Sequence, residues 1–270
     1  MTAATVSEEE LRQLRNALDP RAMEPHLAAL IAKRDPTSSL PKGARCRVTD
    51  AKYDPGKGCS IVYRIGGRIA LGRLRWRDGE PVLDPGAYVT ASGVSLTLFP
   101  DDPAMPNLRR ALDPGAMSSA LAAALPECRE GWKIVQCTTK PVRYRPSRRC
   151  TLRIDLWLRA ERDGTMTACT LYGKVYHDIA KAASVFDEMQ QLSDAAASHP
   201  SGLTLAAPAA FLPDLPMVLQ RPVSGTPLVE FFGRPARRLP ERAREGVEQS
   251  AAALAMLQEL GVKSDRERPA

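Results

Sequence analysis

Thr167-Ala-Cys-Thr-Leu-Tyr-Gly-Lys174-Val-Tyr176 reads as an apolar strand that carries an ammonium near its end. It leads straight into a helical stretch over about 178–194, where Ile179, Ala182, Ala183, Phe186, Met189 and Leu192 recur at roughly 3.6 spacing. A lysine in that position is either a solvated strand-end residue or part of a site. The neighbourhood has to decide between the two.

Working outward, two segments of the chain look alike. Leu14-Arg-Asn-Ala-Leu-Asp-Pro-Arg-Ala-Met23 matches Leu108-Arg-Arg-Ala-Leu-Asp-Pro-Gly-Ala-Met117, 94 residues further on. A second echo follows at an offset of 91, where Tyr53-Asp-Pro-Gly-Lys-Gly-Cys59 parallels Tyr144-Arg-Pro-Ser-Arg-Arg-Cys150. Each then enters an apolar, strand-like run. Asp-Pro is a common helix start, with Asp as N-cap and Pro at the first helical position, which accounts for Asp19-Pro20 and Asp113-Pro114. It does not account for the Ala-Met that follows or for the second echo. The pattern predicts one helix, connector and hairpin unit used twice.

The coarse map opens with Ser7-Glu-Glu-Glu10, a capping-box signature for a helix to about 16, followed by a second helix over about 20–33. Strands are expected at about 46–53, 59–65, 68–76 and 87–98, with turns at Gly66-Gly67 and Asp78-Gly79. Phe99-Pro-Asp-Asp-Pro-Ala-Met-Pro106 is too rich in proline for a regular element and reads as a linker. The second unit predicts a helix near 114–125, strands near 132–144, 150–160 and 166–176, the 178–194 helix, a short Ala/Pro stretch and a strand at Pro216–Gln220. Arg242 to Leu260 reads as a final helix.

With 270 residues and 44% hydrophobic residues the chain can bury a sizeable core, built mainly of Ala, Leu and Val because aromatics make up only 5%. The formal charge is +7, which fits an anionic partner or simply an Arg-rich composition. The arginines are spread along the chain rather than clustered with aromatics, which argues against a nucleic-acid surface. The six cysteines form no C-x-x-C pair and the three histidines have no metal-ligand spacing, so no zinc site is expected. No run approaches the ~18 apolar residues of a membrane helix, and the N-terminus has no basic-then-apolar leader pattern. The expectation is a cytoplasmic protein with reduced thiols and no membrane partner.

The second unit resembles the small-molecule kinase group typified by aminoglycoside and choline phosphotransferases. The order that carries the resemblance is strand, turn, strand, strand with lysine, helix, strand, strand, hinge. It covers about residues 132–262. The resemblance implies that Tyr144-Arg-Pro-Ser-Arg-Arg-Cys150 lies over nucleotide phosphates. That turn is not Gly-rich, so its anion chemistry would come from Arg145, Arg148, Arg149 and backbone N–H groups; it also reads as a solvated basic turn. Lys174 would clamp the phosphates and pair with a helix carboxylate, Glu188 or, less well placed, Asp187. Pro216-Met-Val-Leu-Gln-Arg-Pro-Val-Ser-Gly-Thr-Pro-Leu228 resembles the hinge, so that backbone groups from Gln220 to Val223 would receive an adenine edge. Gly225 would turn the chain out of the strand with positive φ.

The implied fold is α+β: an antiparallel-sheet kinase-like N-lobe at 107–230, preceded by a degenerate helix-plus-sheet copy at 1–106 and followed by the start of a helical lobe at 231–270. In the first copy the counterpart strand Arg68–Trp76 carries Arg73 and Arg75 but no lysine in a comparable frame. Phosphoryl transfer needs a catalytic-loop Asp and an Asn or Asp pair to hold Mg²⁺. No His-Gly-Asp motif occurs in the sequence, and His177-Asp178, directly after the lysine strand, cannot serve. ATP and Mg²⁺ are therefore the cofactors of the family, with no Mg²⁺ ligands assigned here and no catalytic residue named. Two functions remain: a partial ATP-dependent phosphotransferase acting on an unidentified small acceptor, or a non-catalytic binding module on the same lobe. Either implies weak nucleotide affinity and a tendency to self-associate through exposed apolar surface.

Overall fold

A computed structural model describes residues 7–37, 40–77, 80–198, 203–227, 230 and 241–262. The expected turn at Asp78-Gly79 and Leu228 of the hinge motif lie outside the described residues. The chain is mixed α+β and divides into two compact units, 1–109 with 145–148, and 110–144 with 149–270.

The first unit begins with α1 (Glu8–Leu18) and α2 (Pro20–Arg34). The Ser7 hydroxyl accepts from the Glu10 N–H (3.1 Å), and the Asp19 carboxylate accepts from the Arg21 N–H (2.8 Å) with Pro20 at the first helical position. Each such cap is worth about 1 kcal/mol. The capping box is only half made, because the Glu10 carboxylate turns away. It accepts from the Tyr53 hydroxyl (2.7 Å) and the Gly56 N–H (3.3 Å).

The strands are β1 (Arg47–Asp54), β2 (Gly58–Ile65), β3 (Arg68–Arg77), β4 (Glu80–Pro81), β5 (Tyr88–Val89) and β6 (Ser95–Leu98). They form an antiparallel sheet in the order β1-β2-β3-β6-β5, with β4 paired to β3. The single strand expected over 87–98 is two short strands. Gly93 takes φ 77 between them, and the Thr90 side chain accepts from the Val94 N–H (3.1 Å), so the chain reverses there. One sheet face meets α1 and α2 through Leu14, Met23, Leu27, Ile31, Ile61, Tyr63, Leu74 and Leu96. Two further hydrogen bonds tie α1 to that sheet: Tyr63 hydroxyl to the Ala17 carbonyl (2.6 Å), and Trp76 Nε1–H to Gln13 Oε1 (2.8 Å).

The second unit holds α4 (Pro114–Ala124), opened by the Asp113 carboxylate accepting from Ala116 N–H (2.7 Å) with Pro114 at the first helical position. The short helices α3 (Leu108–Leu112) and α5 (Pro126–Arg129) flank it. Then come β7 (Trp132–Arg145), β8 (Arg149–Ala160), β9 (Met166–Tyr176), α6 (Ile179–Ser198), β10 (Pro208–Leu212), β11 (Met217–Gln220) and α7 (Glu241–Glu259). β10 lies in what the sequence suggests is an Ala/Pro connector. It pairs with β11, which pairs with β9, giving the order β7-β8-β9-β11-β10.

That is the strand order of the first sheet. The β8 face bearing Leu152, Ile154, Leu156 and Leu158 is buried, as are Leu171, Val175, Met217 and Leu219 beside it. α4 packs against β10 and buries Met117 and Leu121. The other face takes α6, whose Ala182, Val185, Phe186 and Met189 meet Tyr176, Val218 and Phe211. Ala182 is fully buried there and Val185, Phe186 and Met189 are partly buried, so apolar contact holds α6 to this face.

Candidate functional site

Pairing register places Lys174 on the α6-covered face of the second sheet, between Thr151 of β8 and Val218 of β11. It is half-buried. Burial, and then the nearby charge of Arg149, lower its pKa from the usual lysine value. Among the described residues it makes no ion pair. Arg149, the first residue of β8, is also half-buried and likewise has no carboxylate partner among the described residues. Two adjacent cations, partly removed from water and lacking a counter-charge, form a centre that favours an anion.

The expected pairing of Lys174 with Glu188 or Asp187 is not made. α6 turns Ala182, Val185, Phe186 and Met189 to the sheet, which leaves Glu188 on the flank of the helix and Asp187 exposed. Glu188 accepts instead from the Ser184 hydroxyl one turn back (3.3 Å). Two residues, His177 and Asp178, separate β9 from α6.

The basic turn is divided. Arg149 stands beside Lys174, whereas exposed Arg145 and Arg148 fall in the stretch 145–148 that groups with the first unit. The backbone donors expected for an anion are already engaged. The Arg148 N–H donates to the Arg145 carbonyl (3.2 Å) and the Ser147 N–H to Asp102 Oδ2 (2.7 Å). At the hinge, the Arg221 N–H donates to the Ala207 carbonyl (2.9 Å), and Pro222 has none to give. Val223 is 48% exposed. Gln220 ends β11 with its side-chain oxygen buried and without a partner among the described residues. Gly225 has φ 138 and open space around it, as its turning role requires.

A relationship that sequence reading missed comes from the register. Ser60 and Thr151 each follow the cysteine of the second echo; Ser60 faces Arg73 and Thr151 faces Lys174. Arg73 therefore holds the place in the first sheet that Lys174 holds in the second. Each follows a glycine that packs against the neighbouring side chains: a Cβ on Gly72 would lie 2.6 Å from the Tyr63 ring, and one on Gly173 2.7 Å from Met217 Sδ. The signal is present as Leu71-Gly-Arg-Leu74 against Tyr172-Gly-Lys-Val175. It sits at an offset of 101 rather than 91 because the β8–β9 hairpin is longer than β2–β3.

The two cations differ in company. Arg73 reaches Asp102 Oδ1 (2.6 Å), Asp84 Oδ2 (3.5 Å) and the Ser147 hydroxyl (2.6 Å), and Arg75 also pairs with Asp84. The Asp102 side chain is fully buried and Arg73 is 13% exposed. Asp84 lies in the connection between β3 and β5, the same stretch of topology in which the second unit inserts α6. Among the described residues no group of three or more His, Cys, Asp or Glu side chains could hold a metal ion, and no helix is long and apolar enough to cross a membrane. The sequence matches no family model and no curated protein, and the structure matches no solved structure.

Proposed function

We propose that the second unit is a kinase-like lobe that holds the phosphates of a nucleotide at Lys174 and Arg149, without carrying out phosphoryl transfer through the residues described. The observation that carries this reading is the half-buried Lys174–Arg149 pair, with no carboxylate against it among the described residues. The element order around it supports the same reading: hairpin, lysine strand, helix, two strands, then a turn at Gly225. We also infer that the two units descend from one, supported by the shared strand order, the two sequence echoes and the common frame of Arg73 and Lys174.

ATP fits this site in part. Lys174 and Arg149 suit phosphate oxygens. The 145–148 turn does not, since its Ser147 and Arg148 N–H groups are spent on Asp102 and Arg145. A non-catalytic anion- or nucleotide-binding module is therefore favoured over a phosphotransferase. Thermal-shift titration with ATP, with and without Mg²⁺, gives the test. Weak stabilisation that does not need Mg²⁺ and disappears in Lys174→Ala is expected; stabilisation undiminished in Lys174→Ala would overturn the assignment of the site.

A further inference from the structure

Both hairpin turns of the duplicated pattern hold their central residue in the left-handed region, Gly56 at φ 68 and Ser147 at φ 58. In each, the N–H of that residue donates to a carboxylate from an earlier segment: Gly56 to Glu10 (3.3 Å) and Ser147 to Asp102 (2.7 Å). An exposed turn amide is a donor suited to an anion, and here one amide in each turn meets a carboxylate. In both turns the anion comes from the chain itself.

At Ser147 the donor set is fuller. Asp102 Oδ2 accepts from the Ser147 N–H (2.7 Å), and Oδ1 accepts from the Arg73 guanidinium (2.6 Å) and the Ala104 N–H (3.0 Å). The Arg73 guanidinium also donates to the Ser147 hydroxyl (2.6 Å), which ties the turn to the cation. One fully buried carboxylate thus sits among a guanidinium and two backbone donors, all in the first unit. We propose that Arg73 and the 145–148 turn form an oxyanion-binding site whose resident ligand is the Asp102 carboxylate, and that with this carboxylate removed the site takes a small external oxyanion such as formate or phosphate.

The chemistry does not depend on what Lys174 binds. Loss of Asp102 takes the acceptor from the Ser147 and Ala104 N–H groups and leaves Arg73, 13% exposed, with the Ser147 hydroxyl and the longer 3.5 Å contact to Asp84, at a desolvation cost. An anion of matching shape restores their partners. A neutral solute or a weakly hydrogen-bonding halide does not. The linker carrying Asp102 is therefore docked by its carboxylate, and the turn is ordered by the same group.

The test uses the full chain with Asp102→Ala, and with Asp102→Asn to keep the side-chain volume. Amide exchange at Ser147 and the thermal midpoint are followed in sodium formate, sodium phosphate and sodium chloride at matched ionic strength. Loss of the carboxylate should raise Ser147 exchange by at least about tenfold. Formate or phosphate, but not chloride, should restore protection and raise the midpoint, and adding Arg73→Ala should abolish that rescue. Equal effects of chloride, rescue that survives loss of Arg73, or no anion-specific gain in either Asp102 variant would overturn the proposal.

Discussion

Arg73 and Lys174 stand at the same place in two sheets of the same strand order, yet one is enclosed by carboxylates and the other has none among the described residues. The difference lies in what crosses the sheet face. In the first unit the β3–β5 connection delivers Asp84 and the linker delivers Asp102. In the second, the corresponding connection is α6, which presents an apolar stripe. A cation at a fixed sheet position is thus made structural or left available by the connection opposite it.

The largest effect that would test this contrast is at Arg73. Arg73→Ala leaves Asp102 buried without its counter-charge and should cost about 3–5 kcal/mol in urea unfolding. Lys174→Met removes a cation with no ion-pair partner among the described residues and should stay within about 0.5 kcal/mol at neutral pH. If Arg73→Ala cost no more than Lys174→Met, the contrast would fall.

A middle-sized effect separates the two glycines. Gly72→Ala drives a methyl into the Tyr63 ring, which its hydrogen bond to Ala17 holds in place, and should cost about 3 kcal/mol. Gly173→Ala meets the end of flexible Met217 at 2.7 Å and should cost nearer about 1 kcal/mol. Equal losses in chemical denaturation would show that the two packings are not distinguished by side-chain mobility.

The smallest effect is a pH dependence. Burial and Arg149 hold the folded-state pKa of Lys174 below its unfolded value of 10.5. Between the lowered value and 10.5 the unfolded chain retains a proton that the folded chain has released, so stability rises with pH across that window. Relative to wild type, Lys174→Met should lack this rise. Parallel stability–pH curves for the two proteins would remove the case for a desolvated Lys174.

Much of the secondary structure was legible because its signals are local. Ser7, Asp19-Pro20 and Asp113-Pro114 mark helix starts by chemistry that acts within one turn. β8 and β9 announced themselves by apolar runs around Asp163-Gly164. β10 was missed because Pro208 and the alanines beside it carry little strand signal, and it is held by pairing with β11. The 87–98 run carries the pattern of one strand, and nothing local in it shows that Thr90 and Gly93 close a turn. Glu10 illustrates the limit. Its place in the capping-box pattern is correct, but Tyr53 and Gly56, more than forty residues away, take its carboxylate.

By itself the sequence determined where α1, α2 and α4 begin, that the runs of β8 and β9 become strands, that two pairs of segments echo each other, and that Lys174 lies near the end of a strand before a helix. These follow from capping, periodicity and turn chemistry, which are decided by near neighbours. Only the tertiary structure decided that Arg73 shares the frame of Lys174, that Asp102 and not a ligand meets the Ser147 amide, and that Glu188 stays on the flank of α6. Those outcomes depend on strand register and on which segment crosses a sheet face. Residues far apart in the chain set both, so the spacing of the motifs does not carry them.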